Sequence, residues 1–294
     1  MHTTVLLSET LDLLEPGAGE VFVDATAGTG GCTRALADRV GESGRVIALD
    51  WDAQAVAVLR ELVGDRPQVV VWLENYANLD KVLEAEGVRC VDGAVIDCGL
   101  SSLQLADAER GFSVTAEGGL SMRMSALVEG SAAEIVNSWS REDLEDLFRR
   151  VGQEGHARRI AGAIVEERQR GPIASARQLA QIVERVVPHR GRIHQASRVF
   201  MSIRKYVNRE DENLAVGMRK AFAAMSVGAR LAVLTYESGE ARVVKAFCRE
   251  MVLRGLGAMV TKKAVSPTWA ERRANPRSRS ARLRVLEKIS ETGT

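Results

Sequence analysis

Along the first hundred residues, short apolar runs alternate with amphipathic stretches of helical period. Val21-Phe22-Val23-Asp24, Arg45–Asp50, Gln68–Leu73 and Gly93–Asp97 read as buried strands. Thr33–Val40 and Ala53–Val63 read as helices between them, the second with Val56, Leu59 and Val63 on one face. Strands that alternate with helices predict a parallel, doubly wound α/β sheet. From about Leu105 to Asp211 the β-rich runs vanish. Arg141–Val151, His156–Arg170, Ala176–Val187 and Gln195–Asn208 each place an apolar stripe in an arginine-rich stretch, which predicts an inserted helical subdomain over residues 105–211. The sheet pattern resumes with Leu214–Met225 as helix, Arg230–Tyr236 as strand and Ala241–Arg254 as helix. Ala258–Lys262 and Leu283–Leu286 follow as strands, expected to form an antiparallel edge pair. The sheet domain therefore comprises residues 1–104 and 212–294.

Length agrees with two units, because a single core stops growing near 250–300 residues and the chain has 294. Charge adds an asymmetry. Residues 1–140 hold 9 basic and 22 acidic side chains, whereas residues 141–294 hold 31 basic and 17 acidic. An acidic half suits a small cationic ligand, and a basic half is the electrostatic footprint of a polyanion binder. Cys32, Cys90, Cys98 and Cys248 show no C-x-x-C spacing and, with four scattered histidines, build no metal framework; reduced thiols are expected. No stretch approaches the ~20 apolar residues of a membrane span, and Met1-His2-Thr3-Thr4 lacks a basic leader region. A cytoplasmic protein with no membrane partner is expected.

Asp24-Ala25-Thr26-Ala27-Gly28-Thr29-Gly30-Gly31 lies between a predicted strand and helix, where glycines let the backbone approach a ligand. Asp50 ends the next strand, at the spacing where a carboxylate accepts ribose hydroxyls. This geometry is shared by NAD and S-adenosylmethionine sites. Two features favour S-adenosylmethionine: Thr33 replaces the third glycine of the dinucleotide fingerprint, and the loop opens with Asp24, an acid suited to an ammonium or sulfonium. Asp97, at the end of the fourth strand in Asp97-Cys98-Gly99-Leu100-Ser101-Ser102, is placed by topology beside the reacting centre; a turn or helix-capping role is equally compatible with its position.

Several stretches together resemble the bacterial 16S ribosomal RNA cytosine-N4 methyltransferases over nearly the whole chain. They are His2-Thr3-Thr4-Val5-Leu6-Leu7, the Gly28–Gly31 loop, Asp97–Ser102 with Gln104-Leu105, Asp107–Ser113, Met122-Arg123-Met124, Asn275-Pro276-Arg277 and Arg279-Ser280-Ala281. The resemblance implies a Rossmann-like class I S-adenosylmethionine-dependent methyltransferase with a helical insertion. It implies S-adenosylmethionine as methyl donor and, as acceptor, a decoding-region cytidine of 16S rRNA, within an assembled small ribosomal subunit; a homodimer is compatible with it. Matched position by position, the cofactor contacts fall on Gly28, Gly30, Gly31, Cys32, Asp50, Tyr76, Asp97 and Gln104, with Asp97 also the catalytic candidate. The RNA contacts fall on Arg198, Arg204 and Asn208. Arg277 and Arg279 join them from a basic segment, residues 262–288, that holds nine Lys and Arg against two Glu. Within it Leu283 and Val285 alternate with Arg282 and Arg284, so a strand there is expected to present the arginines on one open face. The chain departs from the family pattern at Cys32 and Glu237, where histidine is usual, at Ser121 and Ser125, where aspartate is usual, and at Met201 for glutamine. Those departures leave two alternatives: a catalytically silent ribosome assembly factor, or a methyltransferase acting on a different RNA.

Overall fold

The computed structural model describes residues 4–189, 191 and 194–291. His2 and Thr3 of the N-terminal motif lie outside the described residues. The chain divides into two units, residues 1–99 with 211–294, and residues 100–210.

In the first unit α1 (Leu7–Leu14) precedes β1 (Val21–Asp24), α2 (Gly31–Val40), β2 (Arg45–Asp50), α3 (Ala53–Val63), β3 (Val69–Leu73), α4 (Leu79–Ala85) and β4 (Val91–Asp97). The insertion carries α5 (Ser102–Ala106), α6 (Ala132–Ser138), α7 (Arg141–Arg150), α8 (Ala157–Arg168), α9 (Ala176–Val186) and α10 (Ser197–Asn208). Then come α11 (Glu210–Ala224), β5 (Met225–Thr235), α12 (Ser238–Leu253), β6 (Gly257–Met259), α13 (Trp269–Ala274) and β7 (Arg282–Lys288). The sheet order is β3-β2-β1-β4-β5-β7-β6, with β1 to β5 parallel and β7 antiparallel to both neighbours. This is the Rossmann-like arrangement of class I methyltransferases, with a helical insertion.

Both sheet faces are covered, which explains why the strands read as continuous apolar runs rather than alternating ones. Val23, Ile47, Leu49, Ile96, Leu231 and Val233 pack with residues of α4, α11 and α12. Phe22, Val46, Val95, Ala232, Leu234, Leu283 and Val285 pack with residues of α1 and α2. The last two strands form the expected antiparallel pair at one edge of the sheet: β7 pairs Leu231 with Leu286 and Val233 with Arg284 along β5, and β6 is outermost. The expectation of an open arginine face on β7 needs correction. Because β7 is flanked on both sides, Arg282 and Arg284 are half-buried and Lys288 is fully buried, its ammonium donating to the Met225 carbonyl at 2.6 Å. The nine-residue basic face is thereby reduced to Lys262, Lys263, Arg272, Arg273, Arg277 and Arg279 at the open surface.

Within the insertion, Leu144, Leu147 and Phe148 of α7, Ile160 and Ile164 of α8, Leu179 and Val183 of α9, and Val199 and Ile203 of α10 are buried, as their helical spacing predicts. A loop clasp lies beside them. Arg110 pairs with Asp107 and donates to the Met124 carbonyl, and its own carbonyl accepts from Met122 N at 2.7 Å. Gly111 has φ +73°, and a methyl there would stand 2.3 Å from the Gly119 carbonyl oxygen, so both the left-handed backbone and the close approach require glycine.

Candidate functional site

The carboxyl ends of β1, β2, β4 and β5 converge where strand order reverses between β1 and its neighbours, the position at which open α/β sheets bind ligands. Asp24, Asp50 and Asp97 end the first three of these strands. The loop after β1 leads into α2 through Gly30, whose φ of +81° is open to glycine. Gly31, the first residue of α2, faces the N-terminal segment, where an added methyl would collide with Thr4 Oγ1. That segment is pinned from the far end of the chain: Leu6 N donates to Glu271 Oε1 at 2.8 Å.

Asp24 does not face a ligand. It is 1 % exposed, accepts the Thr33 hydroxyl at 2.6 Å on one oxygen and the Thr26 amide at 3.4 Å on the other. Thr33 thus occupies the third-glycine position because its hydroxyl satisfies a buried acid, a role glycine cannot fill. Burial pushes Asp24 up to about 6 despite these donors. Asp50 accepts Gly28 N at 2.9 Å on Oδ2 and Asp52 N at 2.9 Å on Oδ1, so it fastens the glycine loop to the end of β2. Each oxygen keeps further acceptor capacity for a hydroxyl. Burial raises Asp50 to about 6 as well.

Asp97 is the most distinctive group. Its amide donates to Thr26 Oγ1 at 2.6 Å, joining the β4 end to the loop. The Tyr236 phenol favours the ionised form of its carboxyl, while Oδ1 is buried without a hydrogen-bond partner. Burial, joined by the negative charges of Asp24 and Glu240, outweighs the Tyr236 bond and pushes Asp97 up to about 7. An orphaned acceptor of this kind costs free energy unless something donates to it. Cys32 lies in the same field: burial, then the charges of Asp24 and Asp97, raise its thiol well above the usual range, so it stays protonated and is no nucleophile.

Tyr236 and Glu240 are members that the sequence reading missed. Tyr236 directly follows β5, and burial followed by the Asp97 charge drives its phenol far above its usual value, keeping it a donor. Its amide donates to Glu240 Oε2 at 2.7 Å. Glu237 caps α12, accepting Gly239 N at 2.7 Å and Glu240 N at 2.8 Å, and closes a reciprocal capping box with Glu240. The Glu237 carboxylate therefore has a structural task at a helix start. Tyr236 stands two residues beyond Leu234, the strand partner of Asp97, and no spacing in the sequence gives that register.

Gly28, Gly30, Gly31, Cys32, Asp50 and Asp97 come together in this unit. Tyr76 follows β3 as expected; its ring packs toward α11 at Gly217 and against the main core. Gln104 belongs to the insertion, where it is buried and caps α5 reciprocally with Ser101. The RNA candidates of α10 do not form one open face. Arg204 holds Glu210 through two bonds of 2.7 and 2.9 Å. Asn208 is 1 % exposed; it donates to the Met122 and Arg204 carbonyls and accepts Met124 N. Asn208 thus fixes the Met122-Arg123-Met124 turn, in which Met122 is left-handed at φ 54° and buried. Arg198 is exposed and donates to the Gln153 carbonyl at 3.0 Å; Arg277 and Arg279 are exposed on the 3-10 turn Pro276–Ser280.

The profile of the MraW methylase family matches residues 1–289. The chain belongs to that family. A relative named ribosomal RNA small subunit methyltransferase H, from Coprothermobacter proteolyticus, is 41 % identical over 98 % of this chain and 96 % of its own length. A protein of the same name from Neisseria meningitidis serogroup B is 39 % identical over 98 % of this chain and 93 % of its own. Among solved structures, the crystal structure of PH0851 is similar in fold, with a TM-score of 0.52 at 14 % identity over 98 % of this chain and 46 % of that one. No described helix of this family member is long and apolar enough to cross a membrane.

Proposed function

We propose that the protein transfers a methyl group from S-adenosylmethionine to the N4 amine of a cytidine in the decoding region of small-subunit ribosomal RNA, with the assembled subunit as substrate. The observation that supports this reading best is the orphaned Asp97 Oδ1, a buried acceptor at the end of β4 beside the glycine loop. The names of the relatives support the choice of RNA.

The residues present fit the cofactor. Gly28, Gly30 and Gly31 give close backbone approach, Asp50 offers acceptors to ribose hydroxyls, and the carboxylates of buried Asp24 and half-buried Asp50 and Asp97 set a negative field suited to a cation. The bound cofactor supplies an electrophilic methyl. Cytosine N4 is a poor nucleophile because its lone pair is delocalised into the ring. Asp97 Oδ1 accepts an N4 hydrogen, turns the lone pair out of conjugation and takes the proton as the N–C bond forms and the methyl–sulfur bond breaks, its electron pair staying on sulfur. Alignment supplies much of the remaining barrier reduction, and the base leaves its stack to reach the site.

Labelled methyl transfer to small subunits lacking the modification, followed by nucleoside analysis, tests the reading. N4-methylcytidine is expected. Cofactor and RNA binding without transfer is the result expected of a silent assembly factor, and a different methylated nucleoside would redirect the acceptor.

Two predictions follow from the site. Asp50→Ala should weaken S-adenosylmethionine by ~1.5–3 kcal/mol in titration calorimetry, the range for hydrogen bonds to a charged group; unchanged affinity would remove Asp50 from the cofactor site. Arg277→Ala with Arg279→Ala should leave cofactor affinity alone but weaken RNA. The slope of log affinity against log salt should flatten by about 1.4, at roughly 0.7 per phosphate contact on single strands.

A further inference from the structure

We infer that Trp269 is a stacking platform for an unpaired base of the RNA. Of the four tryptophans, Trp51, Trp72 and Trp139 are half-buried, whereas Trp269 is 72 % exposed. It opens α13, a short helix with no buried residue, capped by the Thr268 hydroxyl. Glu271 fastens this helix to the N-terminal segment through Leu6 N. Residues three and four apart share a helix face and residues two apart do not. Glu271 therefore takes the inner side, and Trp269, Arg272 and Arg273 together take the outer one.

On that outer face the Arg273 guanidinium lies 5.3 Å from the centre of the Trp269 ring, a cation–π contact that fixes the indole. With one ring face covered by Arg273, an exposure of 72 % leaves the other open. A large apolar ring contributes nothing to the core in such a place. Arg272 shares that helix face, Arg277 and Arg279 follow on the next 3-10 turn, all three are exposed, and no neighbour in this stretch but Glu271 is acidic.

An open aromatic face in an arginine-rich stretch matches a ligand that presents flat π-surfaces on an anionic backbone. Single-stranded nucleic acid has that chemistry: bases stack on aromatic side chains without sequence preference while arginines take the phosphates. A lipid surface would need further apolar anchors, and α13 offers only the one ring. An acidic polypeptide would engage the arginines without needing the indole. The inference rests on the RNA reading above and adds to it a base contact at a named residue.

Its test uses the full chain, steady-state methylation of small subunits, and binding to a mixed-sequence single-stranded RNA oligonucleotide and to polyglutamate. Trp269→Ala should weaken oligonucleotide binding about 5- to 150-fold and raise KM for subunits, with kcat and cofactor affinity near those of the parent. The salt slope should stay that of the parent, because no phosphate contact is lost, and Trp269→Phe should recover most of the affinity. Oligonucleotide binding and KM unchanged in Trp269→Ala, with methylation intact, would overturn the stacking role while the RNA reading stands. An equal loss for polyglutamate and RNA would overturn it in favour of a general anionic surface. If the parent neither binds nor methylates RNA, the substrate reading fails and the inference with it.

Discussion

Asp97→Asn is expected to lower methyl transfer by about 10²–10⁴-fold at saturating cofactor and subunit, the range for losing a positioned proton acceptor. The substitution keeps the shape of the side chain and an oxygen for Tyr236, but it puts an N–H₂ donor or a neutral oxygen where the orphaned carboxylate oxygen stood. An amine facing that position loses its acceptor. The same change removes a charge that burial disfavours, so the cofactor-free variant should melt above the parent at pH 8. Activity lost while stability is gained is the signature of a group kept for function rather than for folding. Single-turnover transfer and thermal melts on one preparation check it. Near-parental turnover would return Asp97 to the role of a turn residue tied to Thr26.

The cofactor-free protein should lose stability as pH rises from about 4 to about 7. Asp24 and Asp50 near 6 and Asp97 near 7 all lie above their ordinary value of 3.8. Within that window the folded chain holds protons that the unfolded chain has released, so unfolding releases protons and is favoured by rising pH. Below the window both states are protonated, and above it both are ionised. At about 1.4 kcal/mol per pKa unit, Asp97 alone corresponds to on the order of 4 kcal/mol. The direction is opposite to ordinary acid denaturation, which burial of these carboxylates reverses here. A cation bound among them favours their ionised forms, so S-adenosylmethionine affinity should climb through the same window and binding should release protons. Melts from pH 4.5 to 8.5 with and without the cofactor, and calorimetry in buffers of different ionisation enthalpy, measure both effects. A melting temperature that rises through the window would contradict the raised pKa of these acids, and Asp97→Asn should flatten its upper part.

Much of the sheet was legible because its strands are buried on both faces and carry runs such as Val46-Ile47-Ala48-Leu49, which no surface element sustains. The place of β7 within the edge pair was not. Its pattern of buried Leu283 and Val285 beside arginines suits an edge as well as an interior strand, and only its pairing with both β5 and β6 decides between them. At the site, the glycine loop and the strand-end acids could be found by spacing alone. Their orientations could not, since the same Asp24 that suggests a cation ligand turns inward onto Thr33. Asn208 shows the same limit. Its four-residue spacing from Arg204 marks a shared helix face, but whether that face meets solvent or the Met122–Met124 turn depends on residues more than eighty positions earlier.

The order of strands gives the chain a timetable. β6 leaves the ribosome before β7, yet among the described residues β7 is its only strand neighbour, so the later segment must slide in beside β5 before the earlier one has anything to pair with. The Leu6 amide waits longer still, because its acceptor on Glu271 is made 265 residues after it. Domains generally fold as units during synthesis, amino-terminal parts first; here the segment lying over Gly31 is secured only once Glu271 has been made. Chains that stop short of Glu271 would thus carry β1 to β5 and the glycine loop but leave the Leu6 amide without its acceptor and β5 with an open edge.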